Sequence, residues 1–383
     1  MRLLINCSTL SATGVTQVAT SFIHECRFFH ENDYHVFISK TVSIQIDKSI
    51  FPANFSFYLI ENHPLYGIEG FKMRRKMRML EAKINPEIVF SVFGPSWWTP
   101  TAPHLMGFAY PYIVYSNSPY FSLLSIKEKL KTNIQKLIHV YFLKRNGNYY
   151  VSETDDVSDR ILDILKVTKD NSYTATNTCS SLFSEEINGE LELLPLREEN
   201  EFRFLSLCSF SRHKNLEILN EVIPLINEFN SSLIIKFILT VDEGIYERSF
   251  TEVAKKFIHN IGRIEVKKCP QLYRECDALF LPTLLECFSA NYPEAMKMEI
   301  PIVTSNLPFA TEVCKDSALY FDPMDSVDIV RAIKHLIENT STRKQLVENG
   351  TKRLDAFLTA KGRAEKYLNI CEEILKKEKN LSL

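Results

Sequence analysis

Short apolar runs alternate with stretches of helical period along the whole chain, and that alternation leaves few folds open. Strands separated by helices pair side by side through crossovers, so such a chain builds parallel sheets with helices on both faces. The runs form two sets. Arg2–Ser8, His35–Ser39, Phe55–Ile60, Ile88–Phe93, His104–Ala109, Tyr149–Ser152 and Tyr173–Asn177 make the first. Phe202–Cys208, Leu233–Val241, Ile264–Lys267, Ala278–Leu281, Ile302–Ser305 and Ala318–Phe321 make the second. The expected fold class is therefore α/β, with two Rossmann-like, doubly wound domains in tandem. Between the sets, Glu185–Asn200 is polar and acidic with one Gly and one Pro, which suits a linker, and the boundary is expected near Leu196. Val327–Glu338 and Arg363–Leu375 carry apolar stripes of helical period and close the chain.

Composition narrows the function. A length of 383 residues, 45% of them hydrophobic, is enough for two independent cores. The net charge of -2 argues against nucleic-acid binding as a main task. The nine cysteines are odd in number and include no C-x-x-C, so neither a disulfide framework nor a zinc site is expected, and a reducing cytoplasm is the simplest location. The opening MRLLINCSTL reads as a first strand rather than a signal peptide, and no apolar run reaches the length of a membrane span.

The chemistry concentrates after the run Ala278–Leu281, in Glu286-Cys-Phe-Ser-Ala-Asn-Tyr-Pro-Glu294. One carboxylate falls in a strand-to-helix loop and the other about one turn into the helix. A helix that begins near Ala290 accommodates Pro293 because its first turn has no intrahelical use for that N–H. Free N–H groups around Phe288, Ser289 and Ala290 then form an anion site flanked by two acids. A diphosphate fits the N–H groups, and a carboxylate accepts two hydrogen bonds from a vicinal diol. A nucleotide sugar has that layout of ribose, pyrophosphate and hexose.

A second constellation, Ser209-Phe-Ser-Arg212-His-Lys214-Asn215, follows the first strand of the C-terminal set. Taken alone, Arg212 and Lys214 there read as a solvated basic turn that caps a helix; paired with the Glu286–Glu294 motif, they would neutralise a departing diphosphate. In the first βα turn, Gly14 is either a loop glycine that approaches the donor phosphate or an ordinary turn glycine. The absence of G-x-G-x-x-G weighs against a dinucleotide oxidoreductase.

The stretch LFLPTLLECFSANYPEAMKMEIPIVTSNLPFATEVCKDSALYFDP, from Leu279 to Pro323, resembles the donor-site region of retaining family 4 glycosyltransferases of the GT-B fold, whose hallmark is two Glu separated by seven residues. Cys287-Phe288-Ser289 stands where that family usually has Gly-Phe-Gly, while Glu-Ala-Met, Pro301-Ile-Val and Glu312-Val match it, as does Lys214-Asn215-Leu216. The resemblance implies two Rossmann-like domains facing each other across a cleft: an acceptor-side domain over 1–195, a nucleotide-sugar domain over 196–357, and a terminal helix over 358–383 that crosses back to the first. It implies transfer of a hexosyl group with retention. Glu286 would hold the sugar hydroxyls, Glu294 the ribose diol, and Lys214 with Arg212 the leaving phosphate. No cofactor and no metal are expected, since no Asp-x-Asp pair is present. The acceptor would be a glycan or lipid-linked glycan, and abundant Ile, Phe, Asn and Lys fit a bacterial surface-polysaccharide pathway. A sugar-nucleotide 2-epimerase and a non-catalytic subunit share the fold; the Glu pair together with Lys214 favours transfer.

Several residues keep two readings. His104 either faces the sugar or is a satisfied structural histidine. Trp97 and Trp98 either stack on an acceptor sugar or fill the core. Met73, Met77, Leu80 and Ile84, and likewise Ile126, Leu130, Ile134, Leu137 and Tyr141, form stripes flanked by Lys and Arg. Such stripes are core faces with a solvated basic back, or surfaces drawn to an anionic membrane, which would place the enzyme peripherally on the cytoplasmic face.

Overall fold

The computed structural model describes residues 1–11, 13–184, 192–227 and 233–381, so the first part of the expected linker, 185–191, lies outside the described residues. Two parallel sheets form. The first contains β1 (Arg2–Cys7), β2 (Asp33–Ile38), β3 (Phe55–Leu59), β4 (Ile88–Ser91), β5 (His104–Gly107), β6 (Tyr149–Ser152) and β7 (Ser172–Thr174), in the order β3-β2-β1-β4-β5-β6-β7. The second contains β8 (Glu201–Ser206), β9 (Ile234–Leu239), β10 (Ile258–Asn260), β11 (Ala278–Leu281), β12 (Ile302–Ser305) and β13 (Ala318–Phe321), in the order β10-β9-β8-β11-β12-β13. Each sheet reverses direction of winding at its centre, beside β1 and β8, and the crevice at the carboxyl ends of the strands there is where doubly wound sheets bind ligands.

One expected strand is absent. Ile264–Lys267 carries no strand, and Val266–Lys268 is instead a single 3-10 turn. The edge strand is Ile258–Asn260, whose Ile258 is buried and pairs with Phe237 of β9. Gly262, at φ +70°, then turns the chain away, so the later apolar pair Ile264 and Val266 does not enter the sheet.

The chain forms two compact units. The first comprises Met1–Val114, Ser125–Asn177 and Leu358–Leu383, and the second comprises Tyr115–Leu124 and Thr178–Phe357. The division thus falls after Asn177 rather than at 195. The reason is packing: Phe183 is buried against Tyr273 with ring centroids 5.5 Å apart, and the Leu193 and Leu194 N–H groups donate to Glu275 at 2.9 and 2.7 Å. Polar composition marked a linker there, yet Leu193 and Leu194 within it are anchored by Glu275. The short segment 115–124 also departs from the sequence-based division, because its Tyr115 ring packs on Phe309.

In the first unit, Leu3, Ile5, Val36 and Phe90 form a core completed by Tyr367, Cys371 and Ile374 of the terminal helix Ala360–Leu381. Tyr367 meets Phe22 and Phe90 at centroid distances of 5.3 and 4.9 Å, and Arg363 is held by Asn177 and, at 3.0 Å, by Ser21 Oγ. In the second unit, Phe204, Phe237, Phe280 and Phe321 stack through the sheet against Ile329 and Ile333 of the helix Ser326–Glu338. Each side chain fully buried in this way is worth roughly 1.5–3 kcal/mol.

The residues left with two readings separate. His104 is wholly buried, bonded through Nε2 to Ser91 Oγ at 2.8 Å and through Nδ1 to the Asn146 carbonyl at 2.5 Å, and burial brings its pKa down to about 4. It is a structural, neutral histidine. Trp98 is core, its indole N–H donating to the buried Glu81 at 3.2 Å. Trp97, at φ +60°, instead lines a cavity of about 310 Å3 at the carboxyl ends of β1, β4 and β5, with Thr9, Phe93, Tyr110, His63 and His139. Met73, Met77 and Ile84 of the helix Gly67–Ile84 are buried core residues. The core-face expectation fails for the helix Ile126–Asn146, where Leu143 and Asn146 are the buried residues and the stripe from Ile126 to Tyr141 lies in solvent. Among the described residues, no helix is long and apolar enough to cross a membrane, no group of three or more His, Cys, Asp or Glu is placed to hold a metal ion, and no disulfide links the nine cysteines.

Candidate functional site

The loops after β8 and β11, neighbours at the winding reversal of the second sheet, carry the residues singled out in the sequence. After β8 the chain makes a 3-10 turn over Arg212–Lys214, then Asn215 adopts the left-handed conformation at φ +56° and anchors its side chain to the Pro323 carbonyl at 2.9 Å. Asparagine tolerates that conformation better than most residues, which is why the turn can close here. The turn directs Lys214 inward, where its side chain is about 10% exposed.

Lys214 Nζ donates to Glu286 Oε1. Burial alone would lower the lysine pKa; the charge of Glu286 and this hydrogen bond reverse the effect and hold it above its ordinary value. Glu286 Oε2 is buried with no hydrogen-bond partner, and so is Thr283 Oγ1 in the same loop. Native proteins leave few such atoms unpaired, at about 1–3 kcal/mol each, unless something else fills the place.

Glu294 sits in the helix Asn291–Lys297, with Ala290 at its start and Pro293 in its first turn as expected. Tyr273 Oη donates to Glu294 Oε2 at 2.9 Å, and Asn291 Nδ2 bonds both Tyr273 Oη at 3.0 Å and the Leu207 carbonyl at 3.0 Å. Protein encloses most of this carboxyl, and burial pushes its pKa up to about 7 while the tyrosine bond pulls the other way. Ser289 Oγ donates to Asn291 Oδ1 at 3.1 Å, and the backbone N–H groups of Ser289 and Ala290 have no partner among the described residues. Phe288 packs edge-on against Phe357 at 6.1 Å, a wall rather than a polar contact.

Arg212 and Gly14 are placed differently. Arg212 is exposed and its Nη1 reaches the Leu123 carbonyl at 3.4 Å. Gly14 lies in the first unit, in the first turn of the helix Thr13–Glu25, with open space where a Cβ would be. Sequence reasoning missed three contributors. Tyr273 and Asn291 brace Glu294, and His213, whose carbonyl accepts from Leu284 N–H at 2.7 Å, stays neutral with its pKa brought down to about 4 by burial and then by Lys214. The segment 115–124 also belongs here: Ser118 Oγ donates to the Leu284 carbonyl at 2.6 Å, two residues before Glu286. The position of His213 next to Lys214 was a usable signal; the 115–124 contact left none in the chain order.

Residues 195–353 match the family described as "Glycosyl transferases group 1". No curated protein is similar in sequence. Among solved structures, a glycosyltransferase from Rickettsia africae superposes with a TM-score of 0.70 at 15% identity, over 98% of each chain. Alr3699/HepE from Anabaena, in complex with UDP and glucose, gives 0.68 at 13% identity over 100% of each chain. Sucrose-phosphate synthase from Thermosynechococcus elongatus gives 0.70 at 12% identity, over 98% of this chain and 100% of that one. At such identities the likeness speaks for the fold. Two parallel-sheet Rossmann-like domains of GT-B type, with a glycosyl transferases group 1 domain over residues 195–353, make the protein a glycosyltransferase.

Proposed function

We propose that the protein moves a hexosyl group from a nucleoside diphosphate sugar to a glycan or lipid-linked glycan, with retention at the anomeric carbon and without a metal, as family 4 enzymes do. The observation that carries this reading is the Lys214–Glu286 pair, whose second carboxylate oxygen is buried and unpartnered in the loop that follows β11. Sugar hydroxyls would donate to that carboxylate. Glu294, braced by Tyr273, would accept from the ribose diol, and the Ser289 and Ala290 N–H groups would face the diphosphate. Lys214 and, from the loop edge, Arg212 would counter the charge that grows on the leaving phosphate oxygen as the glycosidic bond breaks. An oxocarbenium-like centre attacked from the face the phosphate leaves needs no enzymic nucleophile. UDP and glucose in the Anabaena structure support a nucleotide sugar as donor.

The acceptor is proposed to enter the cavity of the first unit, where the Trp97 and Tyr110 rings offer faces for a pyranose. The enzyme would act in the cytoplasm, peripherally at an anionic membrane, in surface-polysaccharide assembly. Calorimetry of UDP-glucose and its GDP, ADP, CDP and dTDP counterparts, with and without EDTA, tests the donor site. At least one should bind equally in both conditions; binding abolished by EDTA overturns the metal-free reading. Proton NMR of the first product formed tests stereochemistry, and an inverted anomeric proton would end the assignment to retention.

A further inference from the structure

Two adjacent tryptophans in the loop 94–102 of the first unit do different work. Trp97 lines the cavity at the carboxyl ends of β1, β4 and β5, and Trp98 fills the core behind it. They are the only two tryptophans of the chain. Trp97 holds φ at +60°, a backbone conformation that a bulky side chain keeps only where its surroundings impose it. The residue that imposes it lies on the helix Gly67–Ile84.

Glu81 of that helix, buried at 2% exposure, gathers four donors from the loop. Its Oε1 accepts from the Thr101 N–H at 2.6 Å, the Thr101 hydroxyl at 2.8 Å and the Ala102 N–H at 3.3 Å. Its Oε2 accepts from Trp98 Nε1 at 3.2 Å. One carboxylate therefore ties the middle of the loop to its end. The beginning is tied to the sheet, where the Gly94 N–H donates to the Gly107 carbonyl at 2.8 Å. Between these ties, Ser96 Oγ donates to the Trp98 carbonyl at 2.5 Å and so closes the chain around Trp97. With both neighbours fixed, Trp97 has little choice of backbone, and its ring is set against His139 and Phe142 at centroid distances of 5.3 and 4.8 Å.

A carboxyl is costly to bury, and an apolar side chain would fill the same space at less cost. What the carboxylate supplies is an acceptor at each of its two heads; glutamine, its closest match in shape, presents a donor at one of them. We infer that Glu81 is a positioning residue for acceptor recognition: through Trp98, Thr101 and Ala102 it fixes the left-handed turn at Trp97, and so holds the Trp97 ring as the platform for a sugar in the cavity. The inference rests on the reading that the acceptor enters that cavity.

Fluorine NMR of the full-length chain carrying 5-fluorotryptophan tests it, with two resonances that Trp97→Phe assigns. Glu81→Gln turns one acceptor head into a donor, so either Trp98 or Thr101 loses its bond, and the Trp97 resonance should shift. In a Trp98→Phe background one oxygen suffices, and the same Glu81→Gln change should leave the Trp97 resonance in place. If Glu81→Gln moves only the Trp98 resonance, or moves that of Trp97 equally in both backgrounds, the inference is overturned. Should Glu81→Gln fail to fold, Thr101→Val deletes one donor and should itself shift the Trp97 resonance; no shift there overturns the inference too. Titration with methyl β-D-glucopyranoside reads recognition. It should move the Trp97 resonance of the unmutated protein, and Glu81→Gln should weaken its affinity about tenfold through loss of the stacking face. A glucoside that moves neither resonance of the unmutated protein overturns the acceptor reading of the cavity, whereas an affinity that Glu81→Gln leaves unchanged overturns the positioning role.

Discussion

Tyr273 donates to Glu294 across 21 positions of sequence, and this bond is the main opposition to the burial that would otherwise keep the carboxyl protonated. Raised to about 7, the group is partly neutral in the unliganded protein at physiological pH. A diol bonds best to the ionised form. Nucleotide-sugar affinity should therefore rise as pH climbs from about 6 to about 8 and then level off, with proton release on binding at the lower end. Calorimetry in two buffers of different ionisation enthalpy measures both. Tyr273→Phe removes the bond that lowers the pKa and should move the midpoint upward; Glu294→Gln should flatten the profile.

The same shift has a consequence for stability, with its sign set by linkage. Between the ordinary carboxyl value of 4.5 and about 7 the folded state holds the extra proton, so stability falls as pH rises through that window and stays low above it. Glu294→Gln should leave the melting temperature nearly unchanged at pH 5 and raise it at pH 8, by an amount equivalent to about 1–2 kcal/mol, since some of the carboxyl still reaches solvent. Thermal melts of the unliganded protein at the two pH values check it. A melting temperature lowered at pH 8 would contradict the burial account.

Lys214 and Glu286 should behave as a coupled pair. Lys214→Met leaves a buried carboxylate unpaired and should destabilise by about 3–5 kcal/mol. Adding Glu286→Gln should recover most of that loss without recovering turnover, which Lys214 supports through the leaving phosphate, at about 100- to 1,000-fold. Urea denaturation and nucleotide-release assays on the two single variants and the double variant separate the effects. Recovery of turnover in the double variant would make Lys214 a structural residue only.

The two glutamates should divide the donor between them. Glu286→Gln should lower turnover while leaving affinity for the bare nucleoside diphosphate nearly unchanged, and Glu294→Gln should weaken the bare nucleotide as well as the sugar form. Calorimetry with UDP and turnover with UDP-glucose decide it. The opposite pattern would reverse sugar and ribose along the motif.

Tyr367 ties the last helix to the first sheet through Phe22 and Phe90. Tyr367→Ala should cost about 3–5 kcal/mol of stability in the first unit, and a protease should then cut within 358–383 before it cuts the second unit. Limited proteolysis followed by mass spectrometry reads the order of cleavage.

Strands of the two sheets were legible because a strand buried on both faces tends to be written as an apolar run, as in Ala278–Leu281. Lys214, Glu286 and Glu294 were legible for a related reason: charged residues directly after such runs fall at the carboxyl edge of the sheet, and parallel pairing of β8 with β11 brings their loops together. Ile264–Lys267 looked like one more run, but a short edge strand is specified by its neighbour β9, and only pairing could choose Ile258–Asn260 instead. Contacts distant in sequence were equally out of reach. Nothing local to Glu294 announces Tyr273, nothing near Leu284 announces Ser118, and the apolar stripe of Ile126–Asn146 is written identically whether it faces a core or water. Periodicity records that a helix has an apolar face; what covers that face depends on the volume left by every other element, which is decided only when the chain has packed.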